Sequence, residues 1–148
     1  VDGKVDPISD KDVIDMELKL KDLETVEKKI SAIERKAKTG DKSAAKVFET
    51  YNIVKEHLSS GNSVRSLTFD DSQMEFVNEL QLLTSKPVMY VCNVDESSVV
   101  DGNNYVEAVK KNVQNEAAQI LILGAAIEAD ISELDSYEER LMFLEDIG

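Results

Sequence analysis

The sequence predicts an α/β fold in which an antiparallel helical hairpin precedes a small parallel sheet. Apolar residues recur in steps of three and four along two neighbouring stretches, which is the period of helices that pair as a coiled coil. Two short apolar runs follow in the second half, separated by a helical pattern. The order strand, helix, strand, helix is typical of a parallel β–α–β unit.

The composition of the 148-residue chain is compatible with a folded domain that has a real core, because 42% of the residues are hydrophobic. The net charge of −13 argues against nucleic-acid binding by the whole surface. A single cysteine excludes an internal disulfide and indicates a reducing compartment, so we expect a cytoplasmic protein. No apolar run is long enough to span a membrane. Since the first residue is Val, we expect a piece of a longer protein.

The first helix is predicted after an irregular lead-in over residues 1–10, with Ser9 or Asp10 as its cap. Its apolar positions follow the heptad steps: Val13, Met16, Leu20, Leu23, Val26, Ile30, Ile33 and Ala37. Ile14 and Leu18 widen the apolar face near the start, so we expect this base to pack against a body.

A turn at residues 39–41 separates the first helix from the second. Gly40 suits a left-handed helix end and Asp41 suits the next N-cap. The second helix has its own seam, formed by Ala44, Val47, Tyr51, Val54 and Leu58. We therefore predict a hairpin over residues 11–66, with these faces in contact: Leu23, Val26, Ile30 and Ile33 against Val47, Tyr51 and Val54.

A third helix is expected after Thr68, which with Asp71 resembles a capping box. It would end before Pro87 and direct four side chains inward: Phe76, Val77, Leu80 and Leu83. The run Val88 to Cys92 then predicts a short strand buried on both faces.

The rest of the chain predicts a helix, a second strand and a last helix. Asn103 or Asn104 would cap the helix, with Tyr105, Val106, Val109 and Val113 inward. The second buried strand would span Gln119 to Leu123 and end in a loop at Gly124 to Ala126. The last helix would start at Ser132 or Asp135 and bear Tyr137, Leu141 and Leu144.

The polar stretch Asn93-Val94-Asp95-Glu96 follows the first strand, where open α/β sheets bind ligands. A Pro-led apolar strand followed by Asn-x-x-Glu resembles the base-reading loop of the YchF-type (Obg-like) P-loop ATPases. Three further segments support the resemblance: Val1-Asp2-Gly3-Lys4-Val5-Asp6-Pro7-Ile8, Glu79-Leu80-Gln81-Leu82-Leu83-Thr84 and Ala125-Ala126-Ile127-Glu128-Ala129. Ordinary relatives carry Asn-Lys-x-Asp, whose Asp pairs with guanine. In this family Val94 and Glu96 would go with a preference for ATP over GTP.

The resemblance implies that residues 67–148 form the C-terminal half of a Rossmann-like P-loop NTPase domain, to which the hairpin is attached. The implied nucleotide base-binding residues are Asn93, Val94, Glu96, Gly124, Ala125 and Ala126. The family's phosphate-loop motif is absent from this sequence, as is its Asp-x-x-Gly switch motif. The chain therefore resembles a central fragment that lacks the phosphate-binding loop and the C-terminal domain.

On this interpretation the complete protein binds and hydrolyses ATP, or GTP, with Mg²⁺, because hydrolysis needs a phosphate cradle and a metal. We expect this chain alone to be inactive and to carry no bound nucleotide. A half-domain would also expose a sheet edge, so we expect self-association through that edge.

The basic tip of the predicted hairpin is a second candidate site. Residues 28–46 contain seven cations against only Glu34 and Asp41: Lys28, Lys29, Arg35, Lys36, Lys38, Lys42 and Lys46. A solvated lysine-rich face and a contact with ribosomal RNA both explain such a cluster, and the resemblance implies ribosome association. No aromatic residue interleaves the cations, so a contact would be to phosphates. The alternative to a nucleotide hydrolase is therefore a non-enzymatic module that binds the ribosome or RNA through this tip.

Overall fold

The structure, a computed structural model, describes residues 5–147 and is mostly helical. Within that range it contains six α-helices and two strands. In chain order they are α1 (Pro7–Lys38), α2 (Lys42–Ser59), α3 (Asp71–Glu79), β1 (Met89–Asn93), α4 (Asn104–Asn112), β2 (Gln119–Leu123), α5 (Ala125–Glu133) and α6 (Tyr137–Ile147). Short 3₁₀ turns lie at Val64–Ser66 and Glu96–Ser98.

The chain divides into two compact units. The first comprises Ser9–Pro87 and holds the long helices, and the second comprises residues 88–147 with residues 5–8. The division falls after Pro87, whereas the sequence placed a boundary after Ser66. The sequence-based assignment of residues 1–10, 11–66 and 67–148 to separate domains stays a prediction.

The helical unit is built on one apolar core. Its buried members are Val26, Tyr51, Val54, Leu58, Val64, Val77, Leu80 and Leu82, and Leu23, Ile30 and Val47 pack against them. The core therefore joins residues of α1, α2 and α3. An ion pair of 2.9 Å between Lys55 of α2 and Glu27 of α1 lies beside it. Six of the seven residues expected at the hairpin interface thus share one cluster, and the seventh, Ile33, is half-buried.

Helix α1 begins at Pro7, earlier than the predicted Ser9 or Asp10. Proline suits the first helical position, because the N–H that it lacks would have no intrahelical acceptor there. The apolar side chains near the base of this helix are more than half exposed: Val13, Ile14, Met16 and Leu20. The expectation that this base packs on a body stays a prediction.

The turn between α1 and α2 matches the prediction. Gly40 has a φ of 93°, in the left-handed region that glycine tolerates. Asp41 is the N-cap of α2, and its side chain accepts the backbone N–H groups of Ser43 and Ala44. The turn therefore ends α1 and starts α2 where the sequence predicted.

Helix α3 differs from its prediction at both ends. Its cap is Asp70, not Thr68, and Asp70 and Gln73 form a reciprocal capping box. The helix ends at Glu79, and Gln81 takes a left-handed φ of 52° that turns the chain. Leu82 is therefore buried, whereas Leu83, expected inside, is 39% exposed.

A buried carboxylate joins α1 to the segment that follows α3. Asp22 is only 2% exposed. It accepts the backbone N–H groups of Leu83 and Thr84 and the hydroxyl of Thr84, each at 2.7 Å. The Thr84 hydroxyl oxygen in turn accepts the N–H of Val64 at 3.2 Å. This network, which we call the Asp22 clasp, satisfies the backbone N–H groups of Val64, Leu83 and Thr84.

The second unit holds a two-stranded parallel sheet in which Met89 pairs with Gln119 and Asn93 pairs with Leu123. β2 spans the predicted residues, and the β1–α4–β2 order confirms the parallel β–α–β unit. The expectation that both sheet faces are covered is wrong for the described residues. Alternate side chains on one face are about half exposed: Met89, Val91 and Leu121.

The helices of this unit also depart from expectation. Asn103 caps α4 as predicted, and Val106, Val109 and Val113 are buried, but Tyr105 is half exposed. Residues 125–133 form α5, where the sequence predicted a loop and then a later helix start. α6 begins at Tyr137, after a capping pair between Ser136 and Glu139. Its apolar side chains Tyr137, Leu141 and Leu144 are exposed.

None of the helices in the described part of the chain is both long and apolar enough to cross a membrane.

Candidate functional site

The two strands end side by side, and the polar residues that follow them meet there. Because the strands are parallel and in register, the carboxyl end of β1 at Asn93 lies beside that of β2 at Leu123. The N–H of Val94 continues the ladder by donating to the carbonyl of Leu123 at 2.9 Å. The residues after β1 and those after β2 thus form one edge, which we call the strand-end site.

Asn93 joins the two halves of the strand-end site. Its side-chain oxygen Oδ1 accepts the backbone N–H of Ala125 at 2.9 Å. With the oxygen used in this way, the amide –NH₂ keeps two donors that point away from Ala125. Asn93 is exposed, so these donors lie at the surface. The structure therefore brings together the two segments that the sequence singled out, through a side chain it also singled out.

Residues 125 and 126 open helix α5 instead of lying in a loop, which corrects the sequence-based expectation. The N–H of Ala125 is engaged by Asn93 and is not open to a ligand. The N–H of Ala126 belongs to the first turn of the helix, where backbone donors have no intrahelical acceptor. The backbone of Val94 is likewise half used, since its N–H bonds to Leu123 and only its carbonyl is left.

The turn after Val94 is held by a residue that the sequence analysis did not select. Asp95 precedes the 3₁₀ turn Glu96–Ser98, and its Oδ1 accepts the Ser97 hydroxyl at 3.1 Å. Hydrogen bonds from the side chains of Ser98 and then Ser97 lower the pKa of the Asp95 carboxyl. The signal was an Asp followed by Ser two and three residues later, since these short polar side chains commonly hydrogen-bond within turns. Glu96 lies exposed as the first residue of that turn.

Gly124 is buried between the segment after β1 and the start of α5. A Cβ atom at this position would lie 2.7 Å from Cγ2 of Val99 and 3.1 Å from Cδ1 of Ile127. Val99, which sequence reasoning also missed, immediately follows the Glu96–Ser98 turn. The lack of a side chain at Gly124 therefore allows the Glu96–Val99 segment to pack against the start of α5.

Cys92, the last apolar residue before Asn93, is half-buried. Burial raises the pKa of its thiol, which keeps it protonated and poorly nucleophilic. Among residues 5–147, moreover, no group of three or more His, Cys, Asp or Glu is placed to hold a metal ion. What the strand-end site offers is amide and backbone donors and acceptors, which suit the polar edge of a flat heterocycle.

The cations of the predicted tip divide into two groups. Three form ion pairs: Lys28 with Glu24, Lys38 with Glu34, and Lys46 with Asp70. The other four are exposed and make no ion pair with the described residues: Lys29, Arg35, Lys36 and Lys42. Arg35, Lys36 and Lys38 occupy the last turn of α1, where positive charge also complements the helix dipole. Lys42 is the first residue of α2.

Comparison with known proteins relates the chain to one group along its whole length. It is 44% identical over 150 residues to the ribosome-binding ATPase YchF of Bacillus subtilis, covering all of this chain and 41% of that protein. It is 35% identical to Obg-like ATPase 1 of Oryza sativa subsp. indica, over 82% of this chain and 32% of that protein.

A solved structure gives the same result for the fold. The YchF GTPase of Schizosaccharomyces pombe superposes with a TM-score of 0.88 and 26% identity, over 99% of this chain and 41% of that one. The chain spans about two fifths of the length of these YchF proteins. No protein-family profile matches the chain.

Proposed function

Because the chain is related over its whole length to the YchF (Obg-like) ATPases, we propose that it carries the base-reading part of a nucleotide-binding protein of that kind. The proposal includes the finer architecture: α1 and α2 pair as an antiparallel coiled-coil hairpin, and the β1–α4–β2 unit is half of a P-loop NTPase domain. The shared core of Val26, Tyr51 and Val54 and the Glu27–Lys55 ion pair support the hairpin.

The observation that carries the proposal is the hydrogen bond between Asn93 Oδ1 and the N–H of Ala125. It unites two segments that lie 32 residues apart in sequence, both of which the family resemblance assigns to the base. It also fixes the orientation of the Asn93 amide, leaving its –NH₂ for a ring nitrogen or a ribose oxygen. The same hydrogen bond also satisfies the first N–H of α5, and the –NH₂ of Asn93 stays exposed at the site.

The groups that remain free suit adenine. The carbonyl of Val94 can accept from the exocyclic N6 amine, and the N–H of Ala126 can donate to N1. Glu96 is one methylene longer than the Asp that would accept both guanine donors, so its carboxylate does not take the same place. We therefore propose ATP as the substrate, with GTP as the alternative, and Mg²⁺ bound with the phosphates by parts of the protein outside these residues.

Substitution of Asn93 tests the base site. In the complete protein that we propose contains this chain, Asn93→Ala should weaken ATP binding about tenfold, since the change removes ligand contacts and also frees Ala125. Asn115→Ala is the matched control, because Asn115 is an exposed asparagine outside the helices and strands. Isothermal titration calorimetry measures the ATP affinity of both variants. Equal affinity of the Asn93→Ala and Asn115→Ala proteins for ATP would show that Asn93 does not serve the base.

A contact with the ribosome through the basic tip is a second proposed function. The relatives are named ribosome-binding as well as ATPases, so the two functions belong together and neither excludes the other. The four exposed cations without an ion pair support it, because they are free to neutralise RNA phosphates. A ribosomal partner agrees with the cytoplasmic location that we propose.

Charge reversal at the tip tests this second function. The triple variant Arg35→Glu, Lys36→Glu, Lys42→Glu should lose binding to ribosomal RNA, and wild-type affinity should fall steeply with salt. The control triple Lys86→Glu, Lys110→Glu, Lys111→Glu gives the same net charge through exposed positions outside residues 28–46. Filter binding at low and high salt measures both. RNA binding that is equally weak in the two triples would assign the effect to net charge alone.

A further inference from the structure

We infer that Gly124 is a positioning residue of the strand-end site, and that its contact with Val99 sets the spacing between the two segments that receive the base. The inference rests on the proposed function and extends it: Gly124, which has no side chain, would determine how wide the space for the ring is.

Position 124 requires glycine because of the space available and not because of backbone conformation. Gly124 has φ −102° and ψ 85°, and any L-residue can adopt that φ. The objection to a side chain is its volume, since a Cβ would lie 2.7 Å from Val99 Cγ2. Real Cβ atoms do not approach that closely, so Gly124→Ala must displace one segment or the other.

Neither Val99 nor Ile127 can move away from a Cβ at position 124 without a cost in energy. Val99 is β-branched and therefore stiff at χ1, so its methyl cannot simply swing away. Ile127, whose Cδ1 would lie at 3.1 Å, is buried at 7% exposure on the inner side of α5. The displacement therefore passes to the backbone, because overpacked sites shift their main chain.

The contact between Gly124 and Val99 adjoins the residues proposed to receive the base. Val99 closes the turn that begins with Glu96, and its N–H donates to the Glu96 carbonyl at 3.3 Å. Gly124 immediately precedes Ala125, whose N–H is held by Asn93. A wedge between Gly124 and Val99 therefore pushes Glu96 away from the start of α5 and strains the Asn93–Ala125 hydrogen bond. The ring would lose its fit while the phosphates would not.

The experiment uses four versions of the protein: wild type, Gly124→Ala, Val99→Ala and the double variant. In the 148-residue chain, amide exchange of Ala125 should accelerate about tenfold in Gly124→Ala, the factor equal to about 1.4 kcal/mol. In the complete protein, Gly124→Ala should lower the affinity for ATP about tenfold. The affinity of that variant for inorganic tripolyphosphate, which has no base, should stay unchanged. The double variant should recover both properties, because Val99→Ala removes the methyl in the way.

The outcomes separate the two ideas. Unchanged exchange and ATP affinity in Gly124→Ala, or failure of the double variant to recover, overturns the role of Gly124. Equal losses for ATP and tripolyphosphate overturn it too, because they indicate general damage. A wild-type complete protein that binds tripolyphosphate no more weakly than ATP overturns the base site itself. In that case the exchange data still report whether the Gly124–Val99 contact spaces the segments.

Discussion

Removing the carboxylate of Asp22 should strongly destabilise the helical unit. Asp22 lies on α1 and holds Leu83 and Thr84, residues more than 60 positions further along the chain. It accepts three hydrogen bonds of 2.7 Å, and both Asp22 and Thr84 are only 2% exposed. Asp22→Ala removes all three acceptor contacts at once and leaves the donors without a partner.

The size of the effect follows from the donors that are left. An unsatisfied buried donor costs about 1–3 kcal/mol, and two of these three are backbone N–H groups that cannot turn away. The Thr84 hydroxyl can rotate, so it adds less. We expect Asp22→Ala to lower the free energy of unfolding by about 3–5 kcal/mol, a large part of the roughly 5–15 kcal/mol that a domain has.

Urea unfolding followed by circular dichroism measures this loss, and amide exchange of Leu83 and Thr84 locates it. Asp12→Ala is the matched control, since Asp12 is an exposed aspartate on the same helix and should change stability by no more than about 0.5 kcal/mol. Thr84→Val should fall between the two, because it removes one donor and the acceptor of the Val64 N–H. If Asp22→Ala proves as stable as Asp12→Ala, the clasp does not hold the unit together.

Two further predictions concern a titration and the exposed sheet. Hydrogen bonds from Lys28 and then Lys21 lower the pKa of Glu24 from 4.5 to about 2. Any stability that the Glu24 ion pairs give is therefore complete above pH 4.5 and lost as the pH falls toward 2. An NMR titration should show the pKa of Glu24 rising in high salt, because salt screens the two lysines. A pKa near 4.5 at low salt would contradict the ion pairs. Val91→Lys should reduce self-association of the chain in sedimentation experiments, because a charge on an exposed edge strand opposes pairing with another strand. Val100→Lys lies outside the strands and should leave self-association unchanged. Equal effects of the two substitutions would show that the sheet is not the contact.

The sequence was most informative where one local pattern decides the structure. Gln119–Leu123 is an apolar run between polar residues, and β2 has those bounds. Asn103 and Asp41 were recognised as caps because capping needs only a side chain and the next backbone groups. The same local logic brought Asn93 and Ala125 to neighbouring strand ends, although it did not foresee their hydrogen bond.

It was least informative where distant residues compete. Asp22 looked like one of many charges on a helix, and nothing local revealed that its partners are Leu83 and Thr84. Leu83 was expected inside, but Leu82 is buried in its place, because Gln81 adopts a left-handed φ that only the packed structure enforces. Small residues at 124–126 suggested a loop, whereas two alanines also start a helix well.

The most direct test of the account is the choice between ATP and GTP by the complete protein. Competition titration should show a preference for ATP, since the free groups of Val94 and Ala126 match adenine. The double substitution Val94→Lys, Glu96→Asp should move the preference toward GTP, and even a partial change is informative because one hydrogen bond is worth about 0.5–1.5 kcal/mol. Tight selectivity for GTP in the unmutated protein would contradict the assignment of these residues to the base.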